Sequence, residues 1–174
     1  MSKIALVVGS LSRQSINRVV AQHLAAQAPA GVSVVEVEIG DLPLYTQDLD
    51  KETVPAYERV RAQLRDAAAV LLVSPEHNRS VPAALKNLLD IGTRPQGQSV
   101  WSGKKVAVVT ASPGAYGGIN AGVHLRQILQ AMGANVLVAP EVYLSRANAQ
   151  SPEDERTAAF LNKFAAAFYA WAQE

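Results

Sequence analysis

Cysteine is absent from this 174-residue chain, which excludes disulfides, thiolate nucleophiles and cysteine-bound metals together. Histidine is scarce, with three residues. Neither H-E-x-x-H nor H-x-x-E-H occurs, so no metal site is expected. An excess of one charge is also lacking: 16 Lys and Arg against 15 Asp and Glu leave a net charge of +1. No basic run interleaves with aromatics, so nucleic acid is not an expected partner. No apolar run approaches the roughly 20 residues that span a bilayer, so no membrane partner is expected either. Met1-Ser2-Lys3 leads directly into an apolar segment without an h-region or cleavage site, which makes the cytoplasm the expected location. Three glycine signatures are missing as well. Without G-x-x-x-x-G-K-[ST], G-x-G-x-x-G or G-x-S-x-G there is no Walker loop, no usual dinucleotide fingerprint and no serine hydrolase elbow.

What is present is a composition 49% apolar, enough for one domain over residues 1–174 with a single core. Apolar β-branched runs alternate with helix-period stretches. Strands are predicted at 3–8, 32–39, 69–74, 104–111 and 135–139. Four are nearly continuous in apolar residues, as in a parallel sheet covered on both faces. The second alternates (Val35, Glu36, Val37, Glu38, Ile39) and suits an edge. Helices are predicted at 15–27, 56–68, 82–91, 118–132 and 152–172, with Ser15 as an N-cap, Pro82 in a first turn and Gly133 after a C-terminus. Phe160, Phe164, Phe168 and Trp171 recur at helical spacing and read as a core-facing stripe. Five βα units with short connections predict an α/β, flavodoxin-like three-layer sandwich, its five-stranded parallel sheet in order 2-1-3-4-5. Ligands of such sheets lie at the strand ends where the order reverses, between strands 1 and 3.

Two loops meet there. Gly9-Ser10-Leu11-Ser12-Arg13-Gln14-Ser15-Ile16-Asn17 follows the first strand and offers three hydroxyls, an amide, a guanidinium and the amide groups of a helix start. Such a set suits a terminal phosphate, although Ser15 alone needs no ligand beyond its own helix. A phosphoacceptor domain of this fold would place acidic residues where Gly9-Ser10 stands, so a monophosphate such as FMN fits best. Pro75-Glu76-His77-Asn78-Arg79-Ser80-Val81-Pro82 follows the third strand. Stiffened by proline at both ends, it can present backbone groups to a flat heterocycle, or serve as an ordinary polar connection. The loop Ser112-Pro113-Gly114 after strand 4 borders the same place.

Together, GSLSRQSIN, LPLYTQDLD, SPEHNRSVPAALKNLLD and HLRQIL resemble the NAD(P)H-dependent FMN reductases, in particular their quinone, chromate and azo-compound reductase subgroup. The block from Pro75 to Asp90 is the most specific, matching P-E-Y-N-x-S-x-P…L-K-N-x-[IL]-D at almost every position. The resemblance implies an FMN enzyme that passes hydride from NAD(P)H through flavin N5 to quinones or similar small acceptors. It places Ser10, Ser12, Arg13, Ser15, Ile16 and Asn17 at the phosphate and ribityl chain. Pro75, Glu76, His77 and Asn78 would lie at the isoalloxazine, with Ser112 and Gly114 approaching it from the strand 4 loop. No side chain is assigned a catalytic role, because the flavin carries the chemistry.

The resemblance also implies a homodimer or homotetramer, with the helix at 82–91 near the contact and residues 42–45 facing a neighbouring subunit. Two positions depart from the family. Ser12 stands where it usually has Arg, with Arg13 one place later, and His77 stands where Tyr is common. The imidazole predicts activity that responds to pH near neutrality. The alternative is a flavodoxin-type one-electron carrier. Such carriers are usually strongly acidic and flank the flavin with aromatics, and here the charge is near zero.

Overall fold

The computed structural model describes residues 2–174. Strands β1 (Ser2–Val8), β2 (Val32–Glu36), β3 (Ala69–Ser74), β4 (Lys105–Ala111), β5 (Asn135–Val136) and β6 (Val142–Leu144) form one parallel sheet. Its order is β2-β1-β3-β4-β5, with β6 also paired to β4. The helices are α1 (Ile16–Ala26), α2 (Pro55–Asp66), α3 (Ala83–Gly92), α4 (Ile119–Ala131) and α5 (Glu155–Gln173).

Side chains alternate across the strands, so each central strand feeds two cores. Ile4, Leu6 and Val8 of β1, with Leu71 and Val73 of β3, pack against Val20 and Leu24 of α1 and Phe164 and Phe168 of α5. Ala5, Val7, Val70 and Leu72 meet Val60 and Leu64 of α2, Leu85 and Leu88 of α3, and Leu125 and Leu129 of α4. Each large apolar side chain so buried contributes about 1.5–3 kcal/mol relative to exposure. On α5, the Phe164 and Phe168 rings lie nearly parallel with centroids 6.3 Å apart. Phe160, expected in that stripe, is instead 39% exposed at the outer turn of the helix.

Two strand expectations are corrected at the sheet margins. Beyond Glu36 the β2 segment makes one further bond, Val37 N–H to Leu6 C=O, and then leaves the ladder while burying Val37 and Ile39. The last strand does not run through 135–139. It pairs at Asn135–Val136 and returns to β4 at Val142–Leu144. Pro140 has no N–H for the ladder, and Val138, two residues before it, is 80% exposed. A 3₁₀ turn at Gln47–Lys51 and another at Ser151–Glu153 were not anticipated; the second shortens the predicted last helix to begin at Glu155. Pro82 caps α3 from outside, its ψ of 142° being extended rather than helical. No helix among the described residues is long and apolar enough to cross a membrane.

Candidate functional site

Where β1 and β3 end side by side, Gly9 lies so close to β3 that a Cβ there would sit 2.8 Å from Ser74 Oγ. Glycine at this point lets the chain turn into its loop against the neighbouring strand. Ser10 Oγ then accepts from the Ser12 amide at 3.3 Å, and Ser12 Oγ from the Gln14 amide at 3.2 Å. Ser15 caps α1, its Oγ accepting from the Arg18 amide at 3.2 Å. Ile16 and Asn17 open the helix, in the turn whose amides lack intrahelical acceptors.

The result is a cleft of about 260 Å³ between the loops after β1, β3 and β4. Nine of the twelve residues proposed from the sequence line it: Ser10, Ser12, Ser15, Ile16 and Asn17 from the first loop, Pro75, Glu76 and His77 from the second, and Ser112 from the third. Gln14, Ala111 and Pro113 line it too; Pro113 belongs to the strand 4 loop expected to border the site, whereas Gln14 and Ala111 are not among the residues proposed from the sequence. Gln14 stood in the quoted loop, but nothing in an aperiodic segment tells which of two neighbours turns inward. Arg13, Asn78 and Gly114 do not line it. Arg13 lies in an adjoining groove of about 570 Å³ with Leu11, Ser12, Arg18, Glu38, Gly40 and Asp41.

One buried atom in this cleft has no partner. Asn17 is 4% exposed, and its Nδ2 donates to Ala111 C=O at 3.1 Å. That bond fixes the amide's orientation and leaves Oδ1 without a donor. A buried acceptor of this kind costs roughly 1–3 kcal/mol unless something with an N–H or O–H arrives. The hydroxyls of Ser10, Ser12 and Ser15 and the amides at the start of α1 suit a phosphate with a polyhydroxylated chain attached. The residues present therefore fit FMN.

The second loop is held rigidly. His77 and Ser80 exchange backbone hydrogen bonds at 3.0 Å in both directions. The two residues between them, Asn78 and Arg79, have φ of 48° and 67°. This is a tight turn in which Arg79 takes a conformation usually left to glycine or asparagine. The Arg79 guanidinium lies 5.0 Å over the Tyr116 ring, and Ser80 Oγ is 3.0 Å from His124 Nδ1.

Glu76 points away from the cleft's centre toward α4. Its carboxylate accepts from the Asn120 amide at 2.8 Å, the Ala121 amide at 3.1 Å and Asn120 Nδ2 at 3.2 Å. Burial pushes its pKa up, but these hydrogen bonds and nearby Arg79 outweigh that and hold it below the usual glutamate value. Gly118, the N-cap of α4, has no side chain with which to do this work. Asn87 of α3 performs a similar task for the 42–45 segment: it accepts from the Tyr45 amide at 2.9 Å and donates to Pro43 C=O at 2.9 Å. Leu44 is left 78% exposed.

Sheet order, cleft position and donor set define a flavodoxin-like α/β protein with a cleft suited to a phosphate. Residues 2–149 match the NADPH-dependent FMN reductase family. The chain belongs to that family and is an oxidoreductase. It is 46% identical over 173 residues to a quinone reductase of Pseudomonas putida, covering 97% of this chain and 93% of that protein. It is 41% identical to a 2-hydroxy-1,4-benzoquinone reductase of Burkholderia sp., covering 99% and 97%. Among solved structures it resembles FerB of Paracoccus denitrificans, a flavoenzyme NAD(P)H:(acceptor) oxidoreductase. The TM-score is 0.93 at 35% identity, covering 99% of this chain and 98% of that one.

Proposed function

We propose that the cleft holds FMN and that the protein reduces quinones with NAD(P)H. The observation that carries this reading is the cleft of hydroxyls and opening α1 amides at the point where the strand order reverses. Ser10, Ser15 and the opening amides of α1 hold the phosphate, with Asn17 beside them in the same wall. Pro75, Glu76 and His77 form the wall beside the ring, and the His77–Ser80 turn keeps their backbone in place. Bound FMN supplies a centre that takes up and gives back a hydride equivalent, so the protein's own task is to hold the ring, keep one face open and leave proton transfer to the reactants.

No Phe, Tyr or Trp among the described residues lines the cleft, which sets it apart from a carrier that sandwiches its flavin between aromatics. The protein acts in the cytoplasm as a homodimer or homotetramer, as the resemblance to its family implies. Light scattering tests the assembly. Steady-state NADPH oxidation with 1,4-benzoquinone tests the function: turnover that requires FMN supports it, and no stimulation by quinone in FMN-loaded protein contradicts it.

A further inference from the structure

The cleft's wall carries no lysine or arginine among the described residues, although Arg13 and Arg79 stand in the two loops that line it and Arg18 in the first turn of α1. Each is directed elsewhere. Arg13 lines the adjoining groove, where Arg18 is paired with Glu36, and Arg79 lies over Tyr116 beside Glu76. The one charged residue in the wall is Glu76, whose carboxylate is turned toward α4. What faces the phosphate seat is hydroxyls, an amide and main-chain N–H: Ser10 is 8% exposed, Ser15 5% and Asn17 4%, and Asn17 holds the unpaired Oδ1.

We infer that this protein binds its flavin phosphate without a cationic side chain, and that Arg13 takes no part in FMN binding. The inference rests on FMN occupying this cleft. A phosphate dianion is held here by hydrogen bonds and by the oriented amides of a helix start, whose partial charges give a shallower salt dependence than a full ion pair. A guanidinium would add a salt-sensitive contribution. Ser12 lines both the cleft and the adjoining groove, so it is the position from which a long cationic side chain reaches the seat.

The test is flavin-fluorescence titration of protein freed of flavin by dialysis, with FMN and with riboflavin, at low and at high salt. Wild type and Arg13→Ala are expected to bind FMN within about twofold of each other and to show the same FMN-to-riboflavin preference. The FMN affinity of both should change by less than about threefold between 20 mM and 0.5 M salt. Ser12→Arg should tighten FMN by about tenfold at low salt, as a charge-assisted hydrogen bond does, and lose that gain at high salt. A tenfold or greater loss of FMN affinity in Arg13→Ala, with riboflavin unaffected, would overturn the inference, as would a steep salt dependence in wild type. Because Arg13 is exposed, its variant reads the result even where Ser12→Arg misfolds. Failure of wild type to bind either flavin would instead remove the FMN reading itself.

Discussion

Removing the Glu76 carboxylate should loosen α4 and the loop in front of it. In Glu76→Ala three donors lose their acceptor at once: the Asn120 and Ala121 amides and Asn120 Nδ2. Exposed α4 residues give water partial access to these groups, so the full desolvation penalty does not apply. Losing a helix cap costs about 1 kcal/mol, and the charge at the positive end of the helix about 0.3–1 more. The expected loss is therefore about 2 kcal/mol, or a fall in melting temperature of about 4–8 °C for a chain of this length. Glu76→Gln keeps one acceptor oxygen and should lose about half as much.

The pH dependence follows from the depressed pKa. Stability from this group is fully present above the unfolded value of 4.5 and is lost as pH falls through the lower folded value. Urea unfolding of wild type and Glu76→Ala at neutral pH, and again well below pH 4, should give midpoints that differ first and then converge. A difference under about 0.5 kcal/mol at neutral pH would refute the capping role.

Tyr169 donates to Leu24 C=O at 3.0 Å, and burial pushes its pKa up to about 12. Because the folded value lies above the unfolded 10.0, its contribution is intact below pH 10 and lost as pH rises toward 12. Tyr45, Tyr57 and Tyr143 are also raised by burial, so ultraviolet titration should show several late tyrosines, and Tyr169→Phe should remove one phenol from the step near pH 12. Gly92→Ala should cost about 1–3 kcal/mol by overpacking, because a Cβ there runs into the Trp101 indole, which donates to Leu89 C=O at 2.9 Å; chemical unfolding checks this. Phe164→Ala should cost about 3–5 kcal/mol, whereas Phe160→Ala, at an outward position, should cost less than about 1 kcal/mol; equal losses in thermal unfolding would contradict the placement of the stripe.

The central sheet was legible because β1, β3 and β4 are buried on both faces and their sequences say so without interruption. The margins were harder. An apolar run around Leu137 looks like a strand until Pro140 is weighed, and the return to β4 at Val142 depends on contacts that no local pattern records. The site followed the same division. Two loops after apolar strands located it, and nine residues converged there because short loops on adjacent strands have nowhere else to go. The direction of individual side chains was not legible. Arg13 and Gln14 are neighbours that line different cavities. Glu76 meets partners 44 and 45 residues away, a separation that spacing cannot reveal.

The most direct test of the account is the anaerobic visible spectrum of the purified protein with FMN bound, recorded on adding NADPH and then 1,4-benzoquinone. Bleaching of the flavin band by NADPH and its full return with quinone is the expected result. A flavin band that NADPH leaves unchanged, or that stays bleached in the presence of quinone, would contradict the claim that this cleft carries reducing equivalents between the two.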